Sequence, residues 1–315
     1  MPENPYKNIE RKLPEKECGN LPGKAGNKED KMEIKKVCVC GGGVMGRQIA
    51  LNTAIKGFEA TVYEFKPEVR QNILDWLETY MDGRIKKGRL TEEQVAAAKA
   101  RFSVTGDMDE GVRGAQLIIE AVPEVEEIKR KVLRDLSDRA DEGAIIATNS
   151  SYMISSRFVD CVKDPSRLAN MHFYNPALVM KFVEVVQGPH TSEETAQTLF
   201  DFAKATGKEP IWMKKEIAGF AANYIIAGIY ERAHYLVSHG YCSYQDVDKA
   251  CEFGLGHPMG PFRLNDLTGI DLSFDIMKAR YEKTGVKPDD YDLYEQMVKE
   301  GRLGRKTGHG FYDYE

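Results

Sequence analysis

Long apolar runs are missing from this chain. None approaches the ~18 residues a helix needs to cross a bilayer, so no membrane partner is expected. Cysteine is scarce, with six in 315 residues, too few for a disulfide framework. Cys38 and Cys40 fall inside an apolar run that reads as a buried strand, so reduced thiols in a cytoplasmic protein are expected. The Cys38-Val39-Cys40 spacing is not a metal-ligand pattern, and no metal is expected. An excess of basic charge is also absent. The net charge of −5 and pI near 5.8 argue against a nucleic-acid partner. Internal repeats are absent. Residues 1–31 lack both periodicity and the apolar core of a signal peptide. Lys, Glu, Asn, Gly and Pro dominate there, and the acidic residues weaken a transit-peptide reading. That segment is read as a disordered tail or as translation from an upstream start.

What is present is ordinary for a globular protein: 42% apolar and 30% charged residues, enough for one large or two average domains. From residue 34 the pattern is strand, glycine-rich turn, helix. IKKVCVC (34–40) is a β-rich run, Val44–Lys56 has helical spacing, and ATVYEF (60–65) is a second strand. Pro67 opens a helix to about Lys87, and Thr91-Glu92-Glu93 starts another. QLIIEAV (116–122) and GAIIATN (143–149) are nearly continuous apolar runs, as in a parallel sheet covered on both faces. A helix near Glu193–Thr206 and a strand at Pro210–Met213 follow. Beyond Lys214–Gly219 the patterns turn almost wholly helical: Phe220–Gly240, Tyr244–Phe253, Ile270–Thr284 and Tyr291–Glu300. GHPMGP (256–261) and GRKTGHGFY (304–312) read as glycine-rich turns closing helices. The expected fold is α/β, a doubly wound Rossmann-type sheet domain (32–215) followed by an all-helical domain (216–315).

Gly41-x-Gly43-x-x-Gly46 has the context a dinucleotide site requires: a strand before it, a helix after it, and a second strand ending in an acid. Gly41 permits the tight turn and Gly43 admits a pyrophosphate. Gly46 lets helix and strand pack, with Val44 and Met45 opening the helix whose amino terminus faces the phosphates. Glu64 is placed to accept both ribose hydroxyls and to repel a 2′-phosphate. NAD is therefore favoured over NADP, although Lys66 and Arg70 lie nearby. The alternative is a glycine turn needed only for packing.

MHFYNPALVMKFVEVVQG (171–188) holds two strand-like runs, one carrying His172 and the other Glu184. A carboxylate inside FVEVV needs a polar partner or a shifted pKa. With the two strands side by side, an imidazole supplies that partner, and the carboxylate fixes its tautomer. A base held in this way beside a nicotinamide suits alcohol oxidation. A buried structural pair is the alternative.

Six segments in order, from GGGVMG, ATNSS (147–151) and the His172 stretch to GFAANYI (219–225), GLGHPMGPFRLNDLTGID (254–271) and GRLGRKTGHGFYDY (301–314), resemble the L-3-hydroxyacyl-CoA dehydrogenase family. The resemblance runs from about residue 34 to 315 and is strongest to the short bacterial 3-hydroxybutyryl-CoA dehydrogenases. It implies reversible hydride transfer between NAD(H) and C3 of a short-chain acyl-CoA, in fatty acid and butanoate metabolism. By that resemblance His172 is the general base and Glu184 its orienting acid. Ser151 contacts the substrate oxygen, and Asn223 contacts the substrate carbonyl. Asn175 lies beside cofactor and substrate, and Glu124 and Lys129 lie near the nicotinamide and its ribose. Simpler roles also exist: Ser151 as a helix cap, Asn223 as a packing amide, Glu124 and Lys129 as a helix-surface pair. Two departures, Tyr224 after Asn223 and Tyr-Met-Ile-Ser after Ser151, bear on local contacts and chain-length preference.

YMDGRIKKGRL (80–90) is a basic helical hairpin whose Lys86 and Lys87 are candidate ligands for the coenzyme A phosphates, with a solvated charged turn as the alternative. The resemblance also implies a homodimer, or a higher oligomer, through the helical domain. A dehydrogenase of free 3-hydroxy acids or sugar acids on the same fold is one rival. A non-catalytic NAD-binding structural protein, as lens crystallins of the superfamily illustrate, is another.

Overall fold

A computed structural model describes residues 32–314. The expectation for residues 1–31 lies outside the described residues. Eight strands form one sheet: β1 (Lys36–Cys40), β2 (Glu59–Tyr63), β3 (Phe102–Thr105), β4 (Leu117–Glu120), β5 (Ile145–Thr148), β6 (Leu168–Phe173), β7 (Phe182–Val186) and β8 (Glu209–Met213). Their spatial order is β3-β2-β1-β4-β5-β6-β7-β8. Strands β1 to β6 run parallel, β7 reverses against β6, and β8 runs parallel to β7. The order reverses between β1 and β4, and ligands of such sheets bind in the crevice at that switch point.

Helices α1 (Val44–Ile55), α2 (Pro67–Lys86), α3 (Glu92–Ala100), α4 (Met108–Val112), α5 (Glu126–Arg139) and α6 (Glu193–Ala205) cover the sheet. One apolar core, with Val37, Val39, Ile49 and Leu117, lies on the α1 side. The other, with Cys38, Ile118, Leu133 and Phe158, lies on the α5 side. Alternate residues of β1 and β4 thus feed opposite cores, which is why their sequences are apolar throughout.

Three elements were not foreseen. β3 is a short edge strand with Ser103 exposed, too brief for a pattern. α4 is a single capped turn, with Asp107 accepting from Asp109 N–H. The third is the helix over Pro261–Thr268: GHPMGP closes the preceding helical turn as expected, with Gly256 at φ +72° and His257 N–H donating to the Cys251 carbonyl at 3.0 Å, but its Gly260 and Pro261 also open a new helix. Proline at a first helical position loses no hydrogen bond.

The carboxyl-terminal part holds α7 (Phe220–Ser238), α8 (Tyr244–Lys249, continued by a π turn over Ala250–Gly254), α9 (Pro261–Thr268), α10 (Ile270–Thr284) and α11 (Tyr291–Lys299). It has its own core of Ala233, Val247, Phe262, Ile270, Tyr294, Met297 and Phe311. Asp248 of α8 accepts from Phe262 N–H and Arg263 N–H, so an acid of one helix caps the next.

Candidate active site

The glycine turn after β1 is dictated sterically. Gly41 has φ +110°, and a Cβ there would sit 2.7 Å from the Ala121 carbonyl oxygen. A Cβ on Gly46 would lie 1.8 Å from the Gly41 carbonyl oxygen, so only glycine lets α1 start this close to β1. Gly43 is different, because its Cβ position is open space. That opening, at the amino terminus of α1, suits a pyrophosphate. Val44 is exposed and Met45 half-buried beside it. Glu64, just past β2, is buried, with Oε2 2.9 Å from Gly42 N–H and Oε1 3.1 Å from Lys66 N–H. Arg70 Nη1 donates to the Glu64 and Phe65 carbonyls at 2.8 and 3.0 Å. These residues fit an adenine dinucleotide with free ribose hydroxyls.

Behind the turn lies an ion cluster that sequence reasoning saw only in part. Lys129 is not on the helix surface: its side chain is 1% exposed, and its Nζ lies 2.8 Å from Glu120 Oε1 and 3.1 Å from Glu124 Oε2. Glu120 is fully buried at the end of β4 and accepts further from Thr148 Oγ1 at 2.6 Å and Val122 N–H at 2.7 Å. It was missed because its run reads as continuous apolar strand; the signal was the unexplained acid in it. For Glu124, burial raises the carboxyl pKa, but Lys129 and the Ser150 hydroxyl outweigh it and hold it below the usual range.

Ser150, rather than Ser151, organises the next turn, donating to Glu124 and accepting from Met153 N–H at 2.8 Å. Ser151 is exposed and has no hydrogen-bond partner among the described residues, so it is not a cap.

His172 and Glu184 face each other directly across the antiparallel β6–β7 pair. Nδ1 of His172 lies 2.8 Å from Glu184 Oε2. Both side chains are buried, at 6% and 0% exposure. Glu184 accepts four hydrogen bonds in all. Tyr174 O–H donates to Oε2 at 3.1 Å, while Ala221 N–H and Ala222 N–H donate to Oε1 at 2.9 and 3.0 Å. Burial raises its pKa, but the His172, Ala222 and Tyr174 donors prevail and leave it lowered. The two backbone donors are unpaired N–H groups of the first turn of α7, where a carboxylate is also favoured by the helix dipole.

Glu184 therefore anchors the helix that carries Asn223. Gly219, at φ +81°, sits between the Tyr152 ring and Asn223 Cβ, at 3.5 and 3.6 Å from where its own Cβ would be. The Ser151 loop and the start of α7 thus meet. Asn175 is exposed in the loop after β6, and Leu178 N–H of the same loop reaches Gln48 Oε1 at 3.4 Å, tying it to α1.

Lys86 and Lys87 are exposed at the end of α2, and among the described residues no hydrogen bond, ion pair or ring contact joins them to His172 or Glu184. Leading to them is a ladder unseen in the sequence. Arg47 of α1 lies 4.7 Å over the Trp76 ring, Trp76 stacks on Tyr80 at 5.4 Å, and Arg84 lies 5.7 Å over Tyr80. The spacing of four along α2 was its legible half; Arg47 was not.

The chain resembles known proteins over nearly its whole described length. The NAD binding domain of 3-hydroxyacyl-CoA dehydrogenase matches residues 36–217, and the C-terminal domain of the same family matches residues 219–314. A probable 3-hydroxybutyryl-CoA dehydrogenase of Bacillus subtilis is 34% identical, covering 90% of this chain and 99% of that protein. The 3-hydroxybutyryl-CoA dehydrogenase of Clostridioides difficile is 33% identical, with 89% and 99% covered. Among solved structures, the (S)-3-hydroxybutyryl-CoA dehydrogenase PaaH1 of Ralstonia eutropha aligns with a TM-score of 0.82 at 31% identity, over 90% of this chain and all of that one.

Proposed function

The chain belongs to the 3-hydroxyacyl-CoA dehydrogenase family, and from that premise we propose that it is an NAD-dependent enzyme interconverting short-chain 3-hydroxyacyl-CoA and 3-ketoacyl-CoA, acetoacetyl-CoA among them. The observation that carries this reading is the opposed His172–Glu184 pair, with Nδ1 held and Nε2 without a partner among the described residues.

Glu184 accepts from Nδ1, so the proton that moves is the one on Nε2. During oxidation Nε2 takes the hydroxyl proton, and during reduction it returns it. Glu184 stays ionised throughout, balanced by its other three donors. When bound, NAD supplies the hydride acceptor for C3, and NADH the donor. The Ser151 hydroxyl contacts the substrate oxygen and the Asn223 amide the thioester carbonyl. Glu64 accepts the ribose hydroxyls and disfavours a 2′-phosphate. Glu124 borders the nicotinamide ribose, and Lys129 acts from beneath through Glu120 and Glu124. Asn175 lies on the cofactor and substrate side. Lys86 and Lys87 take the phosphates of coenzyme A, a role supported by their exposure at the end of α2.

The division of labour is a cofactor-binding part at 32–215 and a substrate and dimerisation part at 216–315. Tyr224, Ile225, Leu272 and Ile276 of that second part are exposed, which supports a homodimer or higher homo-oligomer. A mass measurement in solution tests the assembly. The cytoplasm is the proposed location, in keeping with free Cys38, Cys40, Cys161, Cys242 and Cys251.

One assay tests the reading: NADH and NADPH, each with acetoacetyl-CoA, longer 3-ketoacyl-CoAs and free acetoacetate. Turnover of the thioester with NADH is expected. Preference for free acetoacetate would establish the free-acid dehydrogenase instead, and absence of turnover would leave a binding protein.

A further inference from the structure

We propose that Tyr174 is a positioning residue for the acid–base pair: its hydroxyl occupies part of Glu184 Oε2 and so limits how tightly the carboxylate holds the protonated ring of His172. The inference rests on the role proposed above for His172.

Oε2 receives two donors, His172 Nδ1 at 2.8 Å and Tyr174 O–H at 3.1 Å. The phenol is fixed as well as bonded. Its ring packs on His172 at 4.6 Å between centroids and on Phe182 at 5.1 Å. Tyr174 is no acid or base itself. Burial, then the adjacent Glu184 charge, pushes its hydroxyl pKa up, so it remains a donor at any working pH.

The titratable groups facing the His172 ring are few. β7 supplies Glu184, and the loop after β6 supplies Tyr174. From α7 come only the Phe220 ring, at 5.6 Å, and the two N–H groups on Oε1. No Lys, Arg or Asp pairs with either partner among the described residues. Two donors on one oxygen divide its acceptor strength, so the Nδ1 bond to His172 is weaker than it would be alone.

Tyr174→Phe keeps both ring contacts and removes only the donor. In the full-length protein, the pH midpoint of the His172 ring resonance, followed by NMR, should rise by roughly 0.5–1 pH unit, a part of what a hydrogen bond to a charged group contributes, because Tyr174 bears on His172 only through Glu184. The pH profile of kcat/KM for acetoacetyl-CoA reduction should move the same way. Tyr174→Leu, which also loses the packing, should lower kcat at every pH. An unmoved or lowered midpoint in Tyr174→Phe would overturn the proposal, as would a loss of turnover matching Tyr174→Leu, since packing alone would then explain the residue. If the parent protein fails to turn over acetoacetyl-CoA, the functional reading falls, while the NMR midpoint still decides the role of Tyr174.

Discussion

His172 and Glu184, twelve positions apart in sequence, stand opposite each other across two antiparallel strands with 2.8 Å between Nδ1 and Oε2. The reversal of β7 creates this relationship, because directly opposed side chains on one face of a sheet are near neighbours. His172→Ala should lower kcat by about 10²–10⁴-fold, the range for losing a general acid–base, and leave NADH binding unchanged. Retention of most turnover would exclude His172 as the proton carrier.

Glu184 also carries a pH signature. Its folded carboxyl pKa lies below the ordinary value despite burial, through the His172, Ala222 and Tyr174 donors. The unfolded chain therefore binds the proton first as pH falls. The stability this group contributes is present above the ordinary carboxylate range and lost as pH drops through its lowered folded value. Thermal melts between about pH 3 and 6 should show a flatter acid limb in Glu184→Gln than in the parent. Parallel limbs would mean that other carboxylates set the acid sensitivity.

The buried Lys129 makes a sharper stability prediction. Its ammonium is enclosed by Glu120 and Glu124, and Glu120 has no exposure of its own. Lys129→Met strands a buried charge and should cost about 3–5 kcal/mol in urea unfolding. Glu120→Gln combined with Lys129→Met should recover part of that loss. If the single and double variants unfold alike, the cluster is not coupled as drawn.

Legibility in the sequence followed how locally each feature was determined. β1, β4 and β5 were readable because burial on both faces makes them continuously apolar. β3, α4 and α9 were not, being short and held by neighbours such as Asp248. Glu184 stood out because an acid within FVEVV demands a partner. Glu120 carries the same signal, but the apolar residues on both sides of it in QLIIEAV let the run read as uninterrupted strand. Tyr174 and Arg47 depend on how a loop and a second helix come to rest, and no spacing within their own segments announces that.

On the proposed reading, cofactor choice turns on Glu64. Its carboxylate is held by Gly42 N–H and Lys66 N–H at the rim of the glycine turn, and Arg70 is engaged with carbonyls. Glu64→Ser should raise the KM for NADH about tenfold or more, since hydrogen bonds to a charged group contribute about 1.5–3 kcal/mol. The same change should narrow the preference over NADPH by removing repulsion of a 2′-phosphate. Steady-state kinetics with both cofactors decide it, and an unchanged ratio would place the discrimination elsewhere.

On the proposed reading, the basic hairpin serves the thioester's nucleotide and not NADH. Lys86→Glu with Lys87→Glu should raise KM for acetoacetyl-CoA and spare NADH, because both lysines sit at the far end of α2 from the glycine turn. An unchanged KM for the thioester would remove these residues from the coenzyme A site.

Lys208 links the loop after β6 to alkaline pH. It is buried, and its Nζ donates to the carbonyls of Ala177 and, at 2.9 Å, Met180. Burial, then repulsion from Lys56, lowers its pKa from 10.5 to about 8. Across that interval the unfolded chain binds the proton and the folded one does not, so this group makes stability rise with pH. Cys38, raised from 9.0 to about 12 by burial, acts in the opposite sense at the upper end. The informative quantity is therefore the difference between parent and Lys208→Met, measured by urea unfolding from about pH 7 to 10.5. The penalty of burying a charged amine is relieved as pH rises in the parent and is absent from the variant. The parent should thus gain on the variant between about pH 8 and 10.5, and a constant difference would mean that Lys208 keeps its proton. Freed of its clamp, the loop bearing Asn175 should also bind NADH less tightly in the variant at neutral pH, which a fluorescence titration would measure.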